Sequence, residues 1–341
     1  MGGAVRCLRL SCLAIALASA MAACGDSNSA PPASRNAWTS ARSLPIERFE
    51  AYAAAFEGRI YFIGGITGLF GDIGTARPSR RVDVYDPATD AWTPGPDLPE
   101  DAPKHHLAVA MMADGIYVVG GFDGILGQLP GEPFRPVAKA YALRQGAWVR
   151  LADPPLARGA ATAQALDGRI YVAGGAPTEG QPPYDRLDVY DPSADTWQTL
   201  ANMPTAREHL ASCALDGKFL VIGGWIGPEE HASTRAEEYD PRTNAWRALA
   251  DLPTARGGLA AVSDGNLCHV IGGEDWFMPF PGTFSTHEAY DPSANAWRTL
   301  APMPTARHGF GLARLAGSLF AVGGGPSMGN SYTNVTEVYL P

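Results

Sequence analysis

Residues 216–224 read Asp216-Gly217-Lys218-Phe219-Leu220-Val221-Ile222-Gly223-Gly224. Asp-Gly is a strong short hairpin signal. The apolar run after it has the length of a buried strand, and a glycine pair ends it. The same order recurs along the chain. Glycine doublets close apolar runs at Gly64-Gly65, Gly120-Gly121, Gly174-Gly175, Gly223-Gly224, Gly272-Gly273 and Gly323-Gly324, in steps of 56, 54, 49, 49 and 51. So regular a period marks an internal repeat, and the repeat sets the architecture before any single element does.

Other markers run in phase with the doublets. Tyr85, Tyr141, Tyr190, Tyr239 and Tyr290 each stand seven residues before Trp92, Trp148, Trp197, Trp246 and Trp297. Asp-Pro follows four of these Tyr, a second tight-turn signal; the second unit has Ala142-Leu143 instead. Ten residues after most of these Trp comes Arg158, Arg207, Arg256 or Arg307, and Lys104 comes after twelve. Two turns per unit make each unit a four-stranded antiparallel meander. Such sheets cannot bury both faces alone, so they stack radially. The Tyr and Trp are expected between blades. The last unit has Tyr339 but no Trp after it, whereas Trp38 stands ten residues before Arg48. The strand around Trp38 is therefore expected to complete the last blade and leave no free edge. The sequence predicts an all-β, six-bladed β-propeller.

The double glycine with spaced Tyr and Trp resembles the kelch repeat, over residues 38–341. That resemblance implies the propeller fold and leaves function open. Kelch-type copper-radical oxidases have seven blades and a Tyr cross-linked to Cys, and the likeness to them stops at the fold. Exported six-bladed kelch proteins include sialic-acid mutarotases. The chain is similar to these in blade number, compartment, and Arg, Glu and His near the channel mouth. This likeness implies a sugar-acid isomerase as the alternative to a binding module.

The N-terminus has a different character. Arg6 and Arg9 precede an apolar stretch, and Met21-Ala22-Ala23-Cys24 resembles a bacterial lipobox. Residues 1–23 are expected to be a lipoprotein signal, Cys24 the lipidated residue, 24–37 a disordered tether and 38–341 the propeller. The expected location is exported and lipid-anchored at the outer membrane, on its periplasmic or cell-surface side. The chain carries a net charge of −9, and loss of the leader deepens it to about −11. That balance argues against nucleic acid as a partner. Cys213 and Cys268 remain in strand-like runs, and two buried free thiols are the expectation over a disulfide.

In a meander, alternate connections share a face. The Asp-Gly and Asp-Pro turns lie on one. The long insertions 66–80, 122–137, 176–186, 225–235, 274–288 and 326–334 lie on the other, with the basic residues. Arg48, Lys104, Arg158, Arg207, Arg256 and Arg307 are expected to crowd the channel mouth, where they would hold an anionic ligand. A structural reading competes, because a residue repeated in every blade serves the repeat. Phe70, Phe122, Phe134, Trp225, Trp276, Phe277, Phe280 and Phe284 are blade-specific and suit a sugar or protein surface, or hold their loops down. Glu208, His209 and His308 are the candidate proton-moving groups, with His105 and His106 nearby. No two His have metal-ligand spacing, and no phosphate loop or nucleophile elbow occurs, so neither metal nor cofactor is expected. The function read from sequence is a binding module for a glycan, peptide or protein, with the membrane met through Cys24.

Overall fold

The computed structural model describes residues 1–2, 35–69, 72–124, 134–178, 180–227, 232–277 and 282–341. Residues 3–34, with Cys24 among them, and Phe70 and Phe280 lie outside the described residues. Six four-stranded antiparallel sheets form the blades. The innermost strands are Tyr52–Phe56, Ala108–Met112, Gly159–Leu166, Ala211–Leu215, Ala260–Ser263 and Gly311–Leu315. In the sixth blade the outermost strand is Ala37–Ala41, which pairs antiparallel with Thr336–Leu340 and sets Trp38 opposite Tyr339. The closure expected from the Trp38 offset is therefore the closure observed.

The turns follow their residues. Asp167 and Gly168 both have positive φ, as do Asp216 and Gly217, the conformation a two-residue hairpin needs. Asp86, Asp191, Asp240 and Asp291 accept a hydrogen bond from the backbone N–H two residues on. This local bond, with Pro fixing φ between, makes the outer turn.

The repeated aromatics join blades. The indole N–H of Trp38, Trp92, Trp148, Trp197, Trp246 and Trp297 donates to a carbonyl of the neighbouring blade: Ala301, Arg42, Pro96, Ala152, Ala201 and Ala250 in turn. Tyr85, Tyr190, Tyr239 and Tyr290 lie 5.0–5.3 Å, ring to ring, from the Trp of their own blade. Each donates its hydroxyl to the Asp or Asn five residues on. That same side chain accepts a backbone N–H from the adjacent blade. Blade two departs here too: Tyr141 bonds to Asp101 and faces Arg150 across the strands. Its Trp148 bond is kept.

The glycine doublets are close-approach points. A Cβ on Gly64 would lie 2.3 Å from the Lys104 carbonyl oxygen, so a side chain there would drive blade two away. Between blades four and five Cys213 and Cys268 form a disulfide, with Cα atoms 6.0 Å apart. This corrects the expectation of free thiols. Sequence puts the two cysteines 55 residues apart, and only the stacking of one blade on the next brings them into reach.

Candidate functional site

The basic ring sits inside the blades. Arg48, Arg158, Arg207, Arg256 and Arg307 are between 0% and 3% exposed. Each pairs with a carboxylate on the third strand of its own blade: Asp83, Asp188, Glu237, Glu288 and Glu337. The remaining guanidinium N–H groups are spent largely on carbonyls. Arg207 Nη1 donates to Gly223 O at 2.9 Å and Arg235 O at 2.7 Å, and Arg307 Nη1 to Gly323 O and Val335 O, both at 3.0 Å. Burial lowers the Arg48, Arg158 and Arg307 guanidiniums to about 10, and the paired carboxylates work against it. Lys104 pairs with Asp123 at 3.1 Å. The expectation that the ring crowds the channel mouth is corrected: each Arg reaches outward along its own blade, tying inner to third strand.

Two residues beyond each basic residue stands another ring. Glu50, His106, Ala160, His209, Gly258 and Gly309 all have φ between 48° and 62°. Their backbones close a circle: each N–H donates to the carbonyl of the equivalent residue in the preceding blade, and Glu50 N–H donates to Gly309 O. The circle lies between two cavities. On the tight-turn side the inner strands enclose about 330 Å³, lined by Tyr52, Gln164, Ser212 and Arg314 among others. On the loop side a pocket of about 590 Å³ is lined by Glu50, His106, Glu208, His209, Glu274, His308, Phe134, Trp225, Trp276 and Phe277. A pocket of that size holds a small molecule.

The pocket floor is polar and buried. Glu50 accepts from the Tyr52 hydroxyl at 3.2 Å. It stands 3.6 Å from His106 Nε2 and 3.8 Å from His308 Nδ1. Burial alone would raise the Glu50 carboxyl, but the imidazoles of His106, His308 and His209 outweigh it and hold the group below the usual carboxylate range. Burial holds His106 well below the ordinary imidazole value, against the pull of Glu50. His308 behaves differently: Glu274 and Glu50 together overcome its burial and raise it. Its Nε2–H donates to Ser327 O and Gly329 O, both at 3.1 Å. Its Nδ1 lies 3.4 Å from Glu274.

The aromatics divide. Phe122 and Phe134 stack at 5.4 Å and are buried with Phe49, Ile66 and Tyr332, so they hold loops down. Phe284 is half-buried where its chain returns to Gly273. Trp225 is 9% exposed and forms wall with Phe277, whereas Trp276 is 50% exposed at the rim. Of the residues anticipated from sequence, the pocket gathers Glu208, His209, His308, Trp225 and Trp276, and leaves the basic ring outside. Glu50 and Glu274 were not anticipated. The signal for Glu50 was present: it stands two residues after Arg48, as His106 and His209 stand after Lys104 and Arg207.

The comparisons agree with this architecture. The KLHDC2/KLHL20/DRC7 Kelch-repeats domain matches residues 142–324, and the Kelch motif matches residues 48–99. The Kelch-like protein terF of Aspergillus terreus is 31% identical over 140 residues, which is 40% of this chain and 30% of that protein. Kelch-like protein 35 of Mus musculus is 29% identical over 162 residues, 47% of this chain and 24% of that one. The chain thus spans less than a third of the length of these curated relatives. The solved structure titled "Structure of YjhT" superposes with a TM-score of 0.70 at 16% identity, covering 86% of this chain and 95% of that one; the likeness is one of fold. With more than half its residues inside one family model and six blades closed by an N-terminal strand, the chain belongs to the kelch-repeat propellers.

Proposed function

We propose that this kelch propeller is a binding module whose loop-face pocket takes the end of a neutral glycan. One observation carries the reading. The pocket sets an aromatic wall of Trp225, Trp276 and Phe277 over a floor with the carboxylates Glu50, Glu208 and Glu274, and its described lining includes no Lys or Arg. A sugar offers an apolar face to stack on indole and hydroxyls to donate to carboxylates. An acidic sugar would meet three carboxylates and no guanidinium or ammonium among the described lining residues.

A sugar-acid isomerase would call on ring residues such as Arg207, Arg256 and Arg307 to hold the substrate carboxylate. Those guanidiniums are buried against Glu237, Glu288 and Glu337, and this favours the binding module. We also propose that the chain is exported and anchored through Cys24. Two observations support this: the leader pattern, and a disulfide between blades, which persists best in an oxidising compartment.

Saturation-transfer NMR on the full-length protein, with neutral and acidic sugars, tests the ligand class. Transfer from neutral sugars, reduced in Trp276→Ala, is expected. Transfer from acidic sugars alone, with accelerated anomer exchange, would establish the isomerase instead.

A further inference from the structure

The hydrogen bonds around the pocket floor fix the histidine tautomers. His105 Nε2–H donates to the Gly124 carbonyl at 2.8 Å, so the Nδ1 of neutral His105 carries a lone pair. His106 Nδ1 lies 2.6 Å from that atom and must be the donor. The lone pair of His106 therefore sits on Nε2, the nitrogen 3.6 Å from Glu50 Oε2. His209 repeats the pattern. Its Nδ1–H donates to Glu208 Oε2 at 2.8 Å. One donor atom each of Glu50, His106 and His209 lies within 4.8 Å of the others.

A lone pair 3.6 Å from a buried carboxylate oxygen is unfavourable unless a cation lies between them. Tetrahedral ligands at about 2.0–2.1 Å from zinc are about 3.4 Å apart, close to the His106–Glu50 separation. Two imidazoles and one carboxylate, with room left for an exogenous group, are the donor set of an open zinc site. Imidazoles that bind metal ordinarily give their other N–H to a carboxylate or another fixed acceptor, which orients the ring. Glu208 does this for His209, and the chain from His106 through His105 to Gly124 does it for His106. The floor also fixes Glu50 by shape. A Cβ on Gly309 would come 2.3 Å from Glu50 Oε1, so only glycine there leaves the carboxylate its place.

We infer that Glu50, His106 and His209 form a binding site for a divalent transition metal of the zinc class, with its open positions toward the loop-face pocket. Glu208 is a positioning residue for His209. A metal there would coordinate a hydroxyl of whatever enters the pocket, which deepens the glycan reading without depending on it.

The test is titration of the full-length protein, first stripped with chelator, with Zn²⁺ and with Co²⁺. The expected result is one ion per chain and a visible Co²⁺ band of tetrahedral intensity. Both should be lost in His106→Ala and in His209→Ala. Glu208→Gln, which keeps the shape of the site, should weaken Zn²⁺ binding about 10- to 100-fold. Circular dichroism of each variant establishes folding, and the Co²⁺ spectrum of the unmutated protein stands without any variant. No stoichiometric binding, or binding unchanged in both histidine variants, would overturn the inference. Repeating the sugar NMR on stripped protein separates the two readings, because glycan binding can survive loss of the metal and metal binding can survive absence of a glycan.

Discussion

Two rings lie two residues apart in sequence and behave in opposite ways. The first, from Arg48 to Arg307, is nearly uniform in residue type, and its five Arg are buried and paired with a carboxylate of their own blade. The second, from Glu50 to Gly309, is uniform in backbone: six positive φ values and a closed circle of hydrogen bonds. Its side chains are not uniform: one Glu, two His, one Ala and two Gly. Repetition at the first ring solves a problem every blade has, bonding the carbonyls around its glycine doublet. Variation at the second gives one point on the axis a chemistry that no single blade possesses. In a closed repeat, the place to look for a site is a station where the backbone repeats and the side chain does not.

The largest effect expected from this contrast is at the first ring. Arg256→Ala leaves Glu288 buried without its partner and should cost about 3–5 kcal/mol, read by chemical denaturation. Metal and sugar affinity per folded molecule should not change. Loss of both, with stability intact, would move the site to the first ring.

Next is the cross-link between blades. Replacing Cys213 and Cys268 with Ser should lower stability by about 2–4 kcal/mol, because the bridge closes a long loop of the unfolded chain. Denaturation midpoints with and without reductant should differ in the parent protein and coincide in the double variant.

Acid should act through His287, which burial lowers to about 3. The unfolded chain takes up this proton near pH 6.5 and the folded chain does not, so the contribution is full above about 6.5. It falls as pH drops toward 3. The melting temperature should therefore decline from pH 7 to pH 4, and His287→Asn should flatten part of that slope.

A finer test compares two glycines of the second ring. Gly309→Ala puts a Cβ onto Glu50, whereas the nearest atom to a Cβ on Gly258 is His308 Cβ at 3.3 Å. Both have the same backbone conformation, so strain cancels in the comparison. Zn²⁺ affinity should fall about tenfold or more for Gly309→Ala and stay within about twofold for Gly258→Ala. The smallest effect belongs to the rim: Trp276→Ala should cost about 0.5–1.5 kcal/mol of glycan affinity and leave stability almost unchanged.

Blade number, strand order and closure were legible because each rests on a residue repeated six times, and the Trp38 offset alone located the closing strand. The interblade role of Tyr and Trp was legible for the same reason. The basic ring was legible as a ring and misread in direction. Its carboxylate partners lie on the third strand, about 30 residues on, and nothing local marks a Glu as facing inward. Glu50 was missed although it shares its station with His106 and His209, and Glu274 because no residue of its type recurs at that station in another blade. The metal-ligand spacings that exclude a site on a helix or ribbon do not apply where closure of the propeller brings blades one, two and four to a common axis. Cys213 and Cys268 fall under the same heading.

The most direct measurement is the long-range ¹H–¹⁵N spectrum of the imidazoles, recorded beside the guanidinium Nε signals, before and after addition of Zn²⁺ and a neutral glycan. The two rings predict Nδ1–H tautomers at His106 and His209, Nε2 signals that move on ligand addition, and an Arg256 Nε signal that stays in place. Nε2–H tautomers, or guanidinium signals that move while the imidazoles remain still, would contradict the assignment of scaffold to the first ring and site to the second.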